Sequence, residues 1–300
     1  MMAAVLMVGY ALIIGFTDNF VRVIATEAGL WQFHATRSAI AAVLLALAAP
    51  MLGIRLRPVR WQGVMARSLL HSLAMLIYFG ALAFLPVAVV AAGLFTAPIF
   101  VLLISRLAYG QVISGVQIVA VAIGFGGVIL VLGPEAMSGA SLAALLPVLA
   151  GAMYAMGNIA TRAWCAGESA GTLLGGFFVV LGLLGVVGMI ALSVYPLPVP
   201  VGADGFLQRG PVWPSTTFLF WTFVQAAGSL VAVGMMIRAY QLTDAGRASV
   251  LEYAILPVSA GWGWLLWGQV LEPLAILGIA MIVAAGVLIL RKPGQALAAT

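Results

Sequence analysis

Two stretches of the sequence, FTAPIFVLLISRLAYGQV at residues 95–112 and AILPVSAGWGWLLWGQV at residues 254–270, carry the same features in the same order. Each contains a proline, Pro98 or Pro257, within a long apolar run, and each then reaches a Gly-Gln pair. The two prolines are 159 residues apart (257 − 98) in a chain of 300 residues. A repeat of half the chain length is therefore present.

The rest of the chain is as apolar as these stretches. Hydrophobic residues make up 64% of the sequence and charged residues only 7%, against roughly a quarter charged in an ordinary soluble domain. Apolar runs of about 20 residues, long enough to cross a ~30 Å hydrocarbon layer as helices, follow one another with short gaps. The composition predicts a polytopic helical membrane protein.

Charge and Pro/Gly punctuation divide the apolar runs into ten predicted spans. One long connection, from Pro196 to Ser215, contains five prolines and is expected to be an irregular surface loop. The predicted spans are residues 3–25, 31–51, 65–85, 87–107, 112–132, 141–163, 171–195, 216–240, 245–267 and 273–291.

The positions of arginine and lysine predict the orientation. If both termini are cytoplasmic, ten of the thirteen basic residues fall on the inner side, as the positive-inside rule requires. We therefore expect a multi-pass membrane protein with both termini in the cytoplasm. The ten are Arg55, Arg57, Arg60, Arg67, Arg106, Arg162, Arg238, Arg247, Arg291 and Lys292.

Five spans per half is an odd number, so the second half must enter the membrane with the opposite polarity to the first. The predicted fold is an all-α polytopic membrane protein with ten transmembrane helices, arranged as two inverted five-helix repeats, residues 1–135 and 136–300, around a central cavity. A broken helix frees backbone groups at mid-bilayer depth only where protein or a watered cavity can satisfy them. Pro98 and Pro257 therefore mark a predicted substrate site or gate, and solute transport is the first hypothesis.

The pattern resembles the drug/metabolite transporter superfamily, specifically its ten-helix EamA-like branch, over nearly the whole chain. One departure concerns Gln111, which stands where the family usually has glutamate, and Gln269, which stands where it often does; each glutamine removes a charge from its turn. The residues that carry the resemblance are Gly15-Phe16-Thr17-Asp18-Asn19-Phe20, Arg37-Ser38-Ala39, Tyr78-Phe79-Gly80-Ala81-Leu82, Pro98, Ala239-Tyr240 and Pro257.

The resemblance implies an exporter of small metabolites with cytoplasmic termini and a central cavity lined by helices of both repeats. The overall pattern is most similar to bacterial inner-membrane amino-acid exporters that accept aromatic and other neutral amino acids. An export direction follows from this resemblance alone.

Glu252 is the most informative single residue. If its helix begins near Asp244, eight residues at 1.5 Å each place the carboxylate about 12 Å into the membrane, where an unpaired charge costs several kcal/mol. Pro257 cannot donate to the carbonyl of Tyr253, so polar groups are expected around Glu252 and Tyr253. We expect Glu252 to bind a substrate ammonium group or carry a coupling proton; the alternative is a structural carboxylate satisfied by an arginine.

Asp18 and Arg22 are one helical turn apart and are expected to pair on one face. Arg37 lies near the same predicted outer side. The three residues form either a structural ion-pair cluster or outer gate, or a site where Arg22 or Arg37 binds a substrate carboxylate.

Three helices each present polar or aromatic side chains on one face. Because polar groups facing lipid are costly, these faces are expected to line a common cavity, although hydrogen bonding between helices would explain them equally well. Trp262 is about 80° from Glu252 at 100° per residue and is expected either to form an apolar slot beside it or to pack in the core. The three faces are His71, Met75 and Tyr78; Tyr154 and Asn158; and Gln225 and Ser229.

Several other classes of protein fit poorly. The basic residues are dispersed rather than clustered, which argues against nucleic-acid binding, and the single cysteine rules out an internal disulfide and a cysteine-based zinc site. Gly167-Glu168-Ser169-Ala170-Gly171 matches the G-x-S-x-G nucleophile motif, but it lies in a predicted turn between spans and is expected to be a chance match. We therefore expect no enzyme activity, no cofactor and no metal.

The expected partners are a small-molecule solute, an amino acid or similar metabolite, and the lipid bilayer, and the sequence is compatible with a monomer. A multidrug or other metabolite exporter or flippase of the same fold is the nearest alternative. An intramembrane enzyme is the remote one. A channel fits less well, because a pore needs repeated carbonyls or charged rings.

Overall fold

The computed structural model describes residues 2–81, 85, 87–133, 142–268 and 270–291. Within these ranges the chain forms thirteen α-helices and no β-strand, as the sequence predicts. The helices are α1 Met2–Asp18, α2 Val21–Glu27, α3 Leu30–Leu52, α4 Trp61–Ala81, α5 Val87–Leu94, α6 Ala97–Leu107, α7 Gly115–Leu132, α8 Leu145–Ala163, α9 Ala170–Val194, α10 Thr216–Leu242, α11 Ala245–Glu252, α12 Ile255–Trp267 and α13 Pro273–Arg291.

The thirteen helices correspond to the ten predicted spans, because three spans consist of two helices each. In the described part of the chain, eight helical stretches are long and apolar enough to cross a membrane. The other two predicted spans correspond to α8 and to α11 with α12. The predicted boundaries shift by a few residues: the third span starts at Trp61 rather than residue 65.

The two predicted proline interruptions are present. α5 ends at Leu94 and α6 begins one residue before Pro98, while α11 ends at Glu252 and α12 begins two residues before Pro257. Proline is tolerated in the first turn of a helix, where its missing N–H has no partner to lose, so each proline restarts its span. The matching breaks confirm that the two halves share this feature.

The first span is also interrupted, which the sequence did not predict. α1 ends at Asp18 and α2 begins at Val21. The Asn19 amide Nδ2 donates to the carbonyl oxygen of Gly15 at 2.7 Å and to that of Ser259 at 3.3 Å. Asn19 therefore stabilises the end of α1 and joins it to α12 of the other half.

The main contacts between helices are matched by contacts between their counterparts in the other half. α3 packs on its counterpart α9, and α7 on its counterpart α13. α1 packs on α10 and α12, and the corresponding helix of the second half, α8, packs on α4 and on α5 and α6. A two-fold relation between halves requires this pattern. The predicted boundary between residues 135 and 136 falls outside the described residues, so the division into repeats stays a prediction.

The contact between α7 and α13 depends on two glycines. A Cβ atom on Gly127 would lie 2.6 Å from the carbonyl oxygen of Gly278, and a Cβ atom on Gly278 would lie 2.5 Å from that of Gly127. Any side chain would separate the two backbones, so these small residues allow the last spans of the two halves to pack closely.

The long connection between α9 and α10 folds back over one end of the bundle. Leu30 donates its backbone N–H to the carbonyl oxygen of Phe206 at 2.7 Å, and the Phe206 ring is buried. Arg209 donates from Nη1 to the carbonyl oxygens of Ala25 and Ala28. The loop thus holds the junction of α2 and α3 rather than lying free on the surface.

Candidate functional site

A buried polar network lies where helices of the two halves meet. His71 Nε2 lies 2.9 Å from Asn158 Oδ1. Asn158 Nδ2 donates to the Tyr240 hydroxyl at 3.0 Å and to Glu252 Oε1 at 3.2 Å. These four side chains come from α4 in the first half and from α8, α10 and α11 in the second, and at least nine-tenths of each residue's surface is covered.

Glu252 is the last residue of α11, and its carboxylate contacts Asn158 within this network. Its carboxylate accepts a hydrogen bond from Asn158 Nδ2, and the hydroxyls of Tyr154 and Tyr240 are close enough to interact with it. These partners are neutral, and among the described residues no arginine takes part in the hydrogen bonds to Glu252. The arginine-paired alternative therefore has no support in the structure. A carboxylate held by neutral donors can bind a cation or a proton without first breaking an ion pair.

Tyr154 extends the network toward Tyr10 on α1 and Met236 on α10. The Tyr154 hydroxyl donates to the sulfur of Met236 at 3.0 Å and lies near the Tyr10 hydroxyl. The Tyr154 ring meets the His71 ring edge to face, with centroids 5.2 Å apart. The network thus combines hydrogen-bonding groups with aromatic surfaces, as is usual in small-molecule sites.

His71 continues the network along α4. Its Nδ1 lies 3.2 Å from the carbonyl oxygen of Arg67, while Nε2 faces Asn158 Oδ1. Both partners are acceptors, and a neutral imidazole has one N–H, so the ring can donate to only one of them unless it is protonated.

A second cluster joins α1, α3 and α10. Gln225 Nε2 donates to Asp18 Oδ1 at 2.7 Å, and Ser229 Oγ donates to Gln225 Oε1 at 2.7 Å. The guanidinium group of Arg37 lies within electrostatic range of Asp18. Gln225, Ser229 and Arg37 are buried, whereas Asp18 is exposed.

Arg37 is held by aromatic faces rather than by a direct ion pair. Its guanidinium carbon lies 5.4 Å from the ring centroid of Phe33 and 5.6 Å from that of Phe178. Its Nε has no hydrogen-bond partner within the described ranges. A buried donor of this kind leaves Arg37 able to accept an anionic group.

Arg22 does not pair with Asp18, contrary to the sequence-based expectation. Its guanidinium carbon lies 3.6 Å above the ring of Trp267. The break between α1 and α2 falls between the two residues and removes the continuous helical turn that the pairing requires. Of the three residues in the predicted cluster, only Asp18 and Arg37 lie near each other.

Trp262 lies apart from Glu252. Its indole Nε1 donates to the carbonyl oxygen of Leu12 at 3.1 Å, and its ring meets that of Phe16 at 5.0 Å. The expected slot beside Glu252 assumed one continuous helix, but the break at Tyr253 and Ala254 invalidates the 100° count. Trp262 is half-buried and packs against α1 instead.

The remaining predicted residues have more peripheral positions. Met75 and Tyr78 are half-buried, and Tyr78 is within electrostatic range of Asp18. Tyr253 is fully buried, and its ring occupies the space that a side chain on Gly124 would need. Tyr253 therefore packs against α7, whereas the other predicted faces come together in the two clusters.

Sequence reasoning missed three members of the site, Tyr10, Tyr240 and Arg67. Arg67 is 1% exposed, and its Nε donates to Thr161 Oγ1 at 2.8 Å. The positive-inside rule assigns Arg67 to the inner side rather than to a buried site. Its spacing of four residues from His71 was the available signal, because that spacing places both side chains on one helix face.

Ser169, in the nucleophile-like motif, caps α9. Its Oγ accepts a hydrogen bond from the Thr172 backbone N–H at 3.0 Å, which is the usual role of a serine before a helix. Across the described ranges, no group of three or more His, Cys, Asp or Glu residues is placed to hold a metal ion.

Comparisons with known proteins agree with this architecture. The model of the EamA-like transporter family matches residues 1–133. The pseudopaline exporter CntI of Pseudomonas aeruginosa is 26% identical over 257 residues, 85% of this chain and 84% of that protein. A riboflavin transporter of Rhizobium johnstonii is 29% identical over 230 residues, 76% of this chain and 70% of that protein.

A solved crystal structure has a similar fold. It superposes with a TM-score of 0.74 at 16% sequence identity, covering 94% of this chain and 95% of the other. At this identity the likeness concerns the fold alone. Taken together, the comparisons show that residues 1–133 of this polytopic helical membrane protein match the EamA-like transporter family, and that the chain is similar to transporters over most of its length.

Proposed function

We propose that this protein is a secondary transporter that exports small metabolites, with neutral and aromatic amino acids as the preferred class, by alternating access between its two halves. The single observation that carries the proposal is the hydrogen-bonded chain from His71 through Asn158 to Glu252. A chain between the halves must rearrange when the halves move, so its members are suited to couple solute binding to that movement.

The chemistry of the two clusters suits a zwitterion with an apolar side chain. Glu252, surrounded by neutral donors, offers a carboxylate for an ammonium group. Arg37, with an unpaired Nε, offers a donor for a carboxylate. The rings of Tyr154 and His71 supply apolar surface nearby. Each charged end of an amino acid would thus find an opposite charge, and neither charge is cancelled in advance by a close ion pair.

Export and location rest on the relatives and on the charge distribution. One relative is named as an exporter. The basic residues favour cytoplasmic termini in a bacterial inner membrane. In this proposal the solute enters from the cytoplasm, contacts Glu252, and leaves when the opposite helix ends separate.

A different metabolite is the second candidate, because the relatives are named for other solutes. One is a riboflavin transporter and another a pseudopaline exporter. The same buried carboxylate and aromatic surfaces would suit a larger molecule that combines a ring with polar groups. Export of such a metabolite would use the same site with a different solute.

Purified protein in liposomes tests the proposal. Flux of labelled tryptophan, phenylalanine, threonine, riboflavin and a quaternary ammonium dye is measured with and without a pH gradient, beside protein-free liposomes. Saturable flux that is fastest for tryptophan or phenylalanine is the expected result. Preference for riboflavin or the dye would replace amino acids with the second candidate or a multidrug exporter. Protein-independent flux of every solute would contradict both.

A further inference from the structure

A cavity of about 880 Å³ lies between α3, α9 and α10, near the end where the basic residues gather. Its walls include Leu45, Leu52, Leu174 and Val231, and its mouth includes Arg55 and Arg238. We call this cavity the α3–α10 crevice. The volume lies in the upper part of the ~300–1,000 Å³ range of small-molecule sites.

The crevice is separate from the polar clusters. Gln225, Ser229 and Tyr240 lie on one face of α10, whereas Val231 and Arg238 lie on the other. At 100° per residue the two sets are about 180° apart around the helix. The crevice therefore belongs to the outside of the bundle, and a molecule in it would not compete with a solute at Glu252.

The crevice opens on surface that faces the hydrocarbon of a bilayer. Leu52 is 70% exposed and Val231 is 54% exposed. On the adjoining flank of α3, Val43 and Leu47 are 58% and 63% exposed. In a membrane these apolar side chains must contact acyl chains, so lipid reaches the crevice directly from the side.

The polar end of the crevice is positively charged. Arg55 and Arg238 are exposed, and the bonds they make, to the Gly167 carbonyl oxygen and to Gln241 Oε1, leave most of their donors available. The lining also contains Glu168, whose Oε1 already accepts from two backbone N–H groups, those of Val59 and Arg60. The lining therefore carries two positive charges and one negative charge, and this net positive charge favours an anionic group.

We propose that the α3–α10 crevice binds one anionic phospholipid of the leaflet at the basic end of the helices, with its phosphate between Arg55 and Arg238 and its acyl chains along α3 and α10. Charge complementarity and the lateral opening together select this occupant, because a basic pocket between membrane helices binds anionic headgroups while a free anion makes no use of the apolar walls.

Native mass spectrometry of the purified protein, titrated with phosphatidylglycerol or phosphatidylcholine, tests the proposal. We expect the wild type to retain one phosphatidylglycerol in preference to phosphatidylcholine. The double variant Arg55→Gln with Arg238→Gln should bind it about thirtyfold more weakly. The control, Arg57→Gln with Arg106→Gln, removes two exposed charges from the same end outside the crevice and should retain wild-type binding.

A second variant separates shape from charge and does not depend on the arginines. Ala48→Phe with Ala227→Phe fills the crevice from α3 and α10 and leaves both arginines in place. It should also lose the lipid. Soluble glycerophosphate should not displace phosphatidylglycerol from the wild type.

Three outcomes would overturn the proposal. They are an equal loss of lipid binding in the Arg55/Arg238 variant and its Arg57/Arg106 control, retention of lipid by the Ala48/Ala227 variant, and displacement of the lipid by glycerophosphate. None of these measurements depends on transport. Failure of the lipid site is therefore distinguishable from failure of the proposed export function.

Discussion

At the level of single residues, Asn158 joins the two halves of the protein by hydrogen bonds. It contacts His71 on one side and Tyr240 and Glu252 on the other. The sequence could place His71, Asn158 and Glu252 on inward faces, because polar groups avoid lipid. It could not show that they touch, since the contacts join residues more than 80 positions apart.

Replacing Glu252 by Gln tests the carboxylate. We expect the transport rate to fall by about tenfold, the effect of losing one interaction with a charged group. A side chain that cannot titrate should also flatten the pH dependence of transport. Flux into liposomes at a series of pH values measures both effects.

Glu272→Gln is the matched control, because Glu272 is an exposed carboxylate near the start of α13. It should transport as the wild type does. Glu252→Gln protein that inserts normally and transports at the wild-type rate across the whole pH series would remove Glu252 from the mechanism.

The bond between His71 and Asn158 can be measured by a double-mutant cycle. His71→Ala and Asn158→Ala should each lower the free energy of unfolding by about 1–3 kcal/mol, because each leaves a buried polar group without its partner. The double variant should cost less than the sum of the two. Unfolding in mixed detergent micelles provides the values.

Pairing Asn158→Ala with Gln117→Ala gives the control cycle. The Gln117 side chain, in the first turn of α7, donates to Asp244 Oδ1 and makes no hydrogen bond to Asn158. Its effect should add to that of Asn158→Ala. Additive effects in the His71 cycle as well would mean that the observed hydrogen bond contributes nothing to stability.

At the level of helices, the sequence predicted those breaks that proline causes. Pro98 and Pro257 could be recognised because a missing N–H has a fixed local consequence. The break after Asp18 depends on Asn19 contacting Ser259 of the other half, which no local pattern reveals. This missed break explains why Arg22 lies on Trp267 instead of Asp18.

The close approach of α7 and α13 yields a prediction about glycine. Gly127→Ala should destabilise the protein by about 1–3 kcal/mol, because its Cβ would lie 2.6 Å from the Gly278 carbonyl oxygen, which is backbone and cannot move aside easily. The apparent Tm of the detergent-solubilised protein should fall accordingly.

Gly126→Ala is the control from the same turn. Its Cβ would meet the methyl end of the Met281 side chain at 3.1 Å, and that flexible group can move. A small shift in Tm is expected. Equal shifts for Gly126→Ala and Gly127→Ala would show that the two helices do not require a glycine at the crossing.

At the level of the whole molecule, the ten spans predict that both termini lie on one side of the membrane. The internal repeat and the basic residues carry this prediction, because both are spread along the entire chain. The α3–α10 crevice could not be predicted from the sequence, because it depends on the distances between α3, α9 and α10, which are far apart along the chain.

Single cysteines test the orientation in a Cys165→Ala background, in which the natural cysteine is removed. Trp213→Cys lies on the long loop at a position that is 95% exposed, and Arg57→Cys lies between α3 and α4. A membrane-impermeant maleimide should label Trp213→Cys in intact cells and Arg57→Cys only after permeabilisation. The reverse pattern would mean that the termini face outward.

Counterflow in liposomes tests the carrier mechanism most directly. Vesicles that contain the protein are loaded with unlabelled tryptophan, or with whichever solute the flux measurements favour, and are diluted into a trace of the labelled solute. A site that faces one side at a time predicts transient accumulation of label above its equilibrium level, with Glu252→Gln reducing the overshoot. Label that rises only to equilibrium, at a rate that never saturates, would indicate an open pore and would contradict alternating access between the two halves.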